Sequence, residues 1–163
     1  MANFLNNLSR IEAVLAATAY AFVACLLFSE IVAREIFSST IWGSQKMAVF
    51  GAIFAGFLGF TLATATNSHL RPRFADNWLP APWNQTINRI GDVISALVIG
   101  GLGIVSVFYL SDTIANSDRV AVLYWPLWPL QIVLPYSFFS SALRHVAFAW
   151  LPDLKPAADL ADG

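Results

Sequence analysis

Charge is absent from long stretches of this chain and crowded into short ones. From Ile11 to Ala33 the only charged residues are Glu12 and Glu30; Met47–Thr66 and Val93–Ser111 carry none, and Trp125–Leu143 is the fourth such run. A helix needs about 20 apolar residues to cross roughly 30 Å of hydrocarbon. The pattern therefore predicts an all-α integral membrane protein with four transmembrane helices, over about 11–33, 45–66, 90–111 and 125–145. They form one domain, 1–151, and the polar, proline-containing residues 152–163 read as a mobile tail. The first run is too long for a cleaved signal peptide. Pro135 should kink the fourth span by leaving the Gln131 carbonyl without its amide partner.

Two segments show a weaker helical periodicity. Trp83, Ile87, Ile90 and Ile94 recur at helical spacing behind a candidate N-cap, Asn84, and "FLNNLSRI" near the N-terminus behaves alike. Both read as amphipathic, interfacial segments.

Composition supports the membrane reading. The 163 residues are 58% hydrophobic and 12% charged, against about 45–50% and ~25% in soluble domains. A net charge of −1 gives no field to attract nucleic acid. The distribution of charge sets the expected orientation. With the N-terminus inside, Arg10, Arg71, Arg73, Arg89, Arg144 and Lys155 lie on the cytoplasmic side, and Arg34, Lys46 and Arg119 outside. That excess predicts that both termini are cytoplasmic. His69, Arg71 and Arg73, in "SHLRPRFADNWLP", then mark the inner boundary, where lipid is a possible contact. Trp42, Trp125 and Trp128 fall at the outer ends of spans and Trp78, Trp83 and Trp150 at the inner side, as an aromatic belt requires.

Small residues recur at spacings that let helices approach closely. On the second span Gly51, Ala55 and Gly59 form one row and Ala48, Ala52 and Gly56 another; either row can serve packing among the chain's own four helices, and the presence of two makes this span the candidate face for packing against another subunit. The first span carries small residues at 13, 17, 21, 25, 29 and 33, and the third has Ala96, Gly100, Gly101 and Gly103. Glu30 and Arg34 stand one turn apart, in the order that favours a helical ion pair. With Trp42 and Lys46 they form a candidate outer-face structural or docking group. Arg89 and Asp92 repeat the arrangement on the inner side. Thr18, Tyr20, Ser95, Tyr136 and Ser137 are the polar residues expected near the midplane, without a carboxylate or paired base. No catalytic set, phosphate loop or metal cluster is apparent, so the chain reads as a non-enzyme without a cofactor and as a poor transporter by itself.

The motifs "REIFSSTIW" (34–42) and "SHLRPRFADNWLP" (68–80), followed by "YWPLWPLQIVLPYSFFSSALRH" (124–145), resemble the small integral-membrane, DctQ-type subunit of tripartite ATP-independent periplasmic (TRAP) transporters. The resemblance covers roughly residues 8 to 150. It departs at Glu35, where the family has tyrosine, and at Gly43–Lys46, where the family carries glutamate. It implies a bacterial inner-membrane location and two partners: a large permease subunit with the substrate and sodium sites, and a periplasmic binding protein that delivers an organic acid. The small subunit would brace the large one. Two other classes remain open: a haem-binding electron-transfer subunit using His69 and His145, and a self-contained oligomeric channel lined by the glycines of the second span.

Overall fold

A computed structural model of the chain describes residues 2–66 and 84–151. His69, Arg71, Arg73 and Trp78, the start of the expected interfacial foot at Trp83, and the expected tail lie outside the described residues. The described chain forms five helices, α1 (Ala2–Phe37), α2 (Ser44–Ala65), α3 (Asn84–Ala115), α4 (Trp128–Gln131) and α5 (Val133–Trp150).

Neither amphipathic segment is a separate helix. The "FLNNLSRI" stretch runs unbroken into α1, whose 36 residues make a rod of about 54 Å. From Asn84 the third helix likewise continues into its span. Among the described residues three helices are long and apolar enough to cross a membrane, within Asn3–Phe37, Ser44–Ala65 and Arg89–Ala115. The expected fourth span, 125–145, is displaced and divided. Helix begins only at Trp128, is interrupted at Ile132, and continues to Trp150. The interruption lies next to Gln131, whose carbonyl Pro135 cannot engage, so the proline acts where its chemistry requires. Along α5, Ser137, Ser140, Ser141, Arg144 and His145 lower the hydropathy.

The ends are set by local geometry. Ser38, at φ 48°, turns the chain out of α1. The third helix closes with a Schellman motif around Ser117, at φ 55°: Ser117 N–H donates to the Ile114 carbonyl and Asp118 N–H to that of Thr113. The loop that follows, 116–127, is pinned by bonds from Val120 N–H to the Trp125 carbonyl and from Leu127 N–H to that of Asp118.

Packing is by pairs. α1 lies along α2, α3 lies along α5, and α2 joins the pairs by contact with α5. Glycine permits the close approaches. A Cβ added at Gly51 would lie 2.5 Å from Val23 Cγ2 on α1, and one at Gly103 would lie 3.0 Å from the Phe139 ring. Between α2 and α5, Phe138 meets Phe57 and Phe60 edge-on at 5.7 and 6.0 Å. A small core gathers Ala16, Leu58 and Val133 from three helices. Most large apolar side chains stay outside it, for example Phe28 on α1 and Leu97 on α3. So much exposed apolar surface suits lipid rather than water.

The two ends of the bundle differ. Ser9 and Arg144 meet at one, here called the terminal end. At the far end the α1–α2 turn meets the 116–127 loop, where Leu123 sits over Gly43. Gly43 has φ 76°, and a Cβ there would lie 2.5 Å from Leu123 Cδ2. Gly43→Ala should therefore cost about 1–2 kcal/mol and lower the melting temperature of the detergent-purified protein. Gly56→Ala, with open space around it, should be neutral or gain about 0.5–1 kcal/mol. Equal melting temperatures for the two variants would contradict this account of the far end.

Candidate functional site

The strongest polar chemistry is inside the bundle, near its terminal end. Tyr136, Ser140 and Arg144 follow one another at four-residue intervals on α5 and so share a face. That face meets Glu12 of α1, which is fully buried. Glu12 Oε2 accepts from Arg144 Nη2 at 2.6 Å. Its Oε1 accepts from Ser140 Oγ at 2.8 Å and from Tyr136 Oη at 2.9 Å. Arg144 also donates to Ser140 Oγ at 2.7 Å and to Ser9 Oγ at 3.3 Å. Arg144 itself is 1% exposed. An isolated charge in such surroundings is strongly unfavourable, and pairing with added hydrogen bonds removes most of that cost.

One residue further along α5, about 100° around the helix, the chain does the same toward α3. His145 Nδ1 lies 3.2 Å from Asp92 Oδ1, and both residues are buried. Ser141 completes the pattern by accepting from Thr64 Oγ1 of α2 at 3.3 Å. The six residues Ser140–His145 thus tie α5 to α1, α2 and α3 at one level. All four charged or ionisable side chains buried among the described residues, Glu12, Asp92, Arg144 and His145, belong to this hub.

Sequence reasoning missed the hub. It treated Glu12 as an exception within an apolar run and Arg144 as a marker of orientation. The usable signal was physical: charges inside apolar spans seek partners, and Glu12 and Asp92 stand near the terminal ends of their spans, as Arg144 and His145 do. The expected Arg89–Asp92 pairing gives way to Asp92–His145, and Arg89 is exposed. With its ring buried against Asp92 and edge-on to Phe148, His145 is no open axial ligand for haem, and His69 lies outside the described residues.

At the far end the outer-face group is also rearranged. Arg34 pairs with its neighbour Glu35 at 3.3 Å, with both side chains exposed, rather than with Glu30. Glu30 instead reaches across the turn. Its Oε2 accepts from Ile41 N–H at 2.9 Å and from Ser44 Oγ at 2.8 Å, which holds the turn against the start of α2. Trp42 and Lys46 are exposed beside it.

The small rows on α2 divide. Ala48 and Ala55 are buried within this chain, and a Cβ at Gly51 would meet Val23, so these three positions face the chain's own helices. Ala52 and Gly56 are exposed, and Gly56 and Gly59 have nothing within 4 Å of an added Cβ. An apolar groove beside Gly56 is lined by Ile53, Phe57, Phe60 and Phe138.

Long apolar helices, lipid-suited surfaces and buried polar ties between spans define a multi-pass α-helical membrane protein. More narrowly, the chain belongs to the DctQ family: the family profile described as "Tripartite ATP-independent periplasmic transporters, DctQ component" matches residues 23–153. That makes it a small membrane subunit of a TRAP transporter, in the inner membrane. No curated protein matches the chain. The matched segment contains Asp92, Arg144 and His145; Glu12 lies before it.

The Glu30 contacts carry a direct test. Glu30→Ala removes the acceptor from Ile41 N–H and Ser44, so amide exchange over residues 41–47 should speed up by about tenfold, the equivalent of one lost hydrogen bond of ~1.4 kcal/mol. Unchanged exchange there would show that the turn does not depend on Glu30.

Proposed function

We propose that this chain is the scaffold of its transporter: it braces a large permease subunit that holds the substrate and sodium sites, for uptake of a small organic acid delivered by a periplasmic binding protein. The observation that carries the reading is the use of its buried charges. Glu12, Arg144, Asp92 and His145 are committed in pairs that hold helix to helix. A transport pathway needs polar groups that can exchange partners with a solute; a brace needs groups that do not let go.

In this reading α4 and α5 make a fourth pass, with Arg144 paired to Glu12 and His145 to Asp92. The terminal end faces the cytoplasm, as the excess of basic residues there favours. His69, Arg71 and Arg73 then mark the cytoplasmic boundary, and Glu30, Arg34, Trp42 and Lys46 the periplasmic one. The open row of α2, Ala52, Gly56 and Gly59, is where a helix of the large permease can approach closely, and the adjoining groove offers apolar cover.

Four experiments test these points. Co-purification from native membranes should recover a large permease subunit. Gly56→Leu with Gly59→Leu should lose that partner, since overpacking a close interface costs about 1–3 kcal/mol, while the melting temperature of the small subunit alone stays unchanged. Full recovery of the complex with this variant would assign the α2 row to lipid. A reporter active only in the periplasm, fused after Gly163, should be silent; strong activity would invert the orientation. Glu30→Gln should leave the number of ions moved per substrate unchanged, and a change in that number with the complex intact would place transport chemistry in this chain.

A further inference from the structure

The terminal half of α1 is held in an unusual way. From Asn3 to Leu15 only Leu5 and Glu12 are buried, while Phe4, Ile11, Val14 and Leu15 point outward. The backbones of α1 and α5 do not pack along one another as those of α1 and α2 do. The gap is bridged by long polar side chains: Arg144 and Tyr136 from α5, Glu12 from α1. Leu5 is the one large apolar side chain buried in this stretch, and in lipid apolar contact has no hydrophobic driving force behind it.

We propose that the Glu12–Arg144 pair is an electrostatic lock that positions the terminal half of α1 against α5, and that this half of the helix is released when the lock is opened while α2, α3 and α5 keep their packing. Charge and shape can be removed separately at this pair. A guanidinium keeps its proton under all ordinary conditions, whereas a stranded carboxylate can take one up and become neutral. Loss of Glu12 should therefore be worse than loss of Arg144. Removing both charges together with apolar side chains of similar length should restore the position, because a buried pair can be replaced by apolar packing but not halved. The hydroxyls of Ser9 and Ser140 can then turn back to carbonyls of their own helices, as Ser9 already does to Leu5. Around the pair the other ionisable groups are Tyr136 on α5 and, across α5, the Asp92–His145 pair, which the substitutions leave in place.

The test uses the full chain in lipid nanodiscs with Cys25→Ser, and spin labels at Phe4→Cys and Trp150→Cys, two exposed positions at the terminal ends of α1 and α5. The parent should give a single narrow distance distribution. Glu12→Gln should broaden it and lower the melting temperature by on the order of 10 °C. Arg144→Gln should have a smaller effect on both, and Glu12→Met with Arg144→Met should return the narrow distribution. A narrow, unshifted distribution in Glu12→Gln would overturn the proposal. So would a double-methionine variant as broad as Glu12→Gln, or one that fails to fold: the site would then need these particular side chains for shape, not for cancellation of charge.

Discussion

A guanidinium surrounded by protein and hydrocarbon cannot discard its charge, so Arg144 must find a carboxylate before the bundle is stable. Much of the arrangement follows from that demand. The carboxylate comes from α1, at the opposite end of the sequence, so the first and last long helices are held at a fixed height. Ser9, Ser140 and Tyr136 supply further hydrogen bonds, and their places on α1 and α5 are set by the same height. With the register of α5 set by Arg144, His145 is carried round toward α3 and Ser141 toward α2.

The hub also accounts for the composition of α5. A helix carrying serines, an arginine and a histidine is a poor candidate for lipid on hydropathy alone. It is acceptable where its polar groups face three other helices and part of its apolar surface, such as Leu143 and Val146, faces outward. The polarity is spent on partners inside the protein, where in a bilayer it substitutes for the hydrophobic effect as the source of specificity. Rigidity at this level is what a subunit that braces another would require.

The far end solves a different problem, a sharp turn without a proline. Ser38 and Gly43 take left-handed backbone, Glu30 gathers the Ile41 amide and Ser44, and Leu123 closes over the glycine. The two connecting segments at that end thereby support each other, and the aromatic residues beside them, Trp42, Tyr124 and Trp125, are left exposed.

By itself the sequence determined three spans, because the free energy of placing a helix in hydrocarbon depends on its own residues and on little else. Charge-free runs such as Met47–Thr66 and Val93–Ser111 are visible for that reason, as is the break near Gln131, a local consequence of Pro135. The motifs flanking the spans were also enough to suggest the family. Pairing was not legible. Glu12 and Arg144 are separated by 132 positions, and nothing local tells a carboxylate which cation it will meet. The small rows of α2 had the same ambiguity: spacing shows that a close approach is possible, not what approaches. Only the tertiary structure decided that Ala48, Gly51 and Ala55 serve this chain's own packing while Gly56 and Gly59 stay open, because which face of a helix is covered depends on the angle and height at which its neighbours cross it.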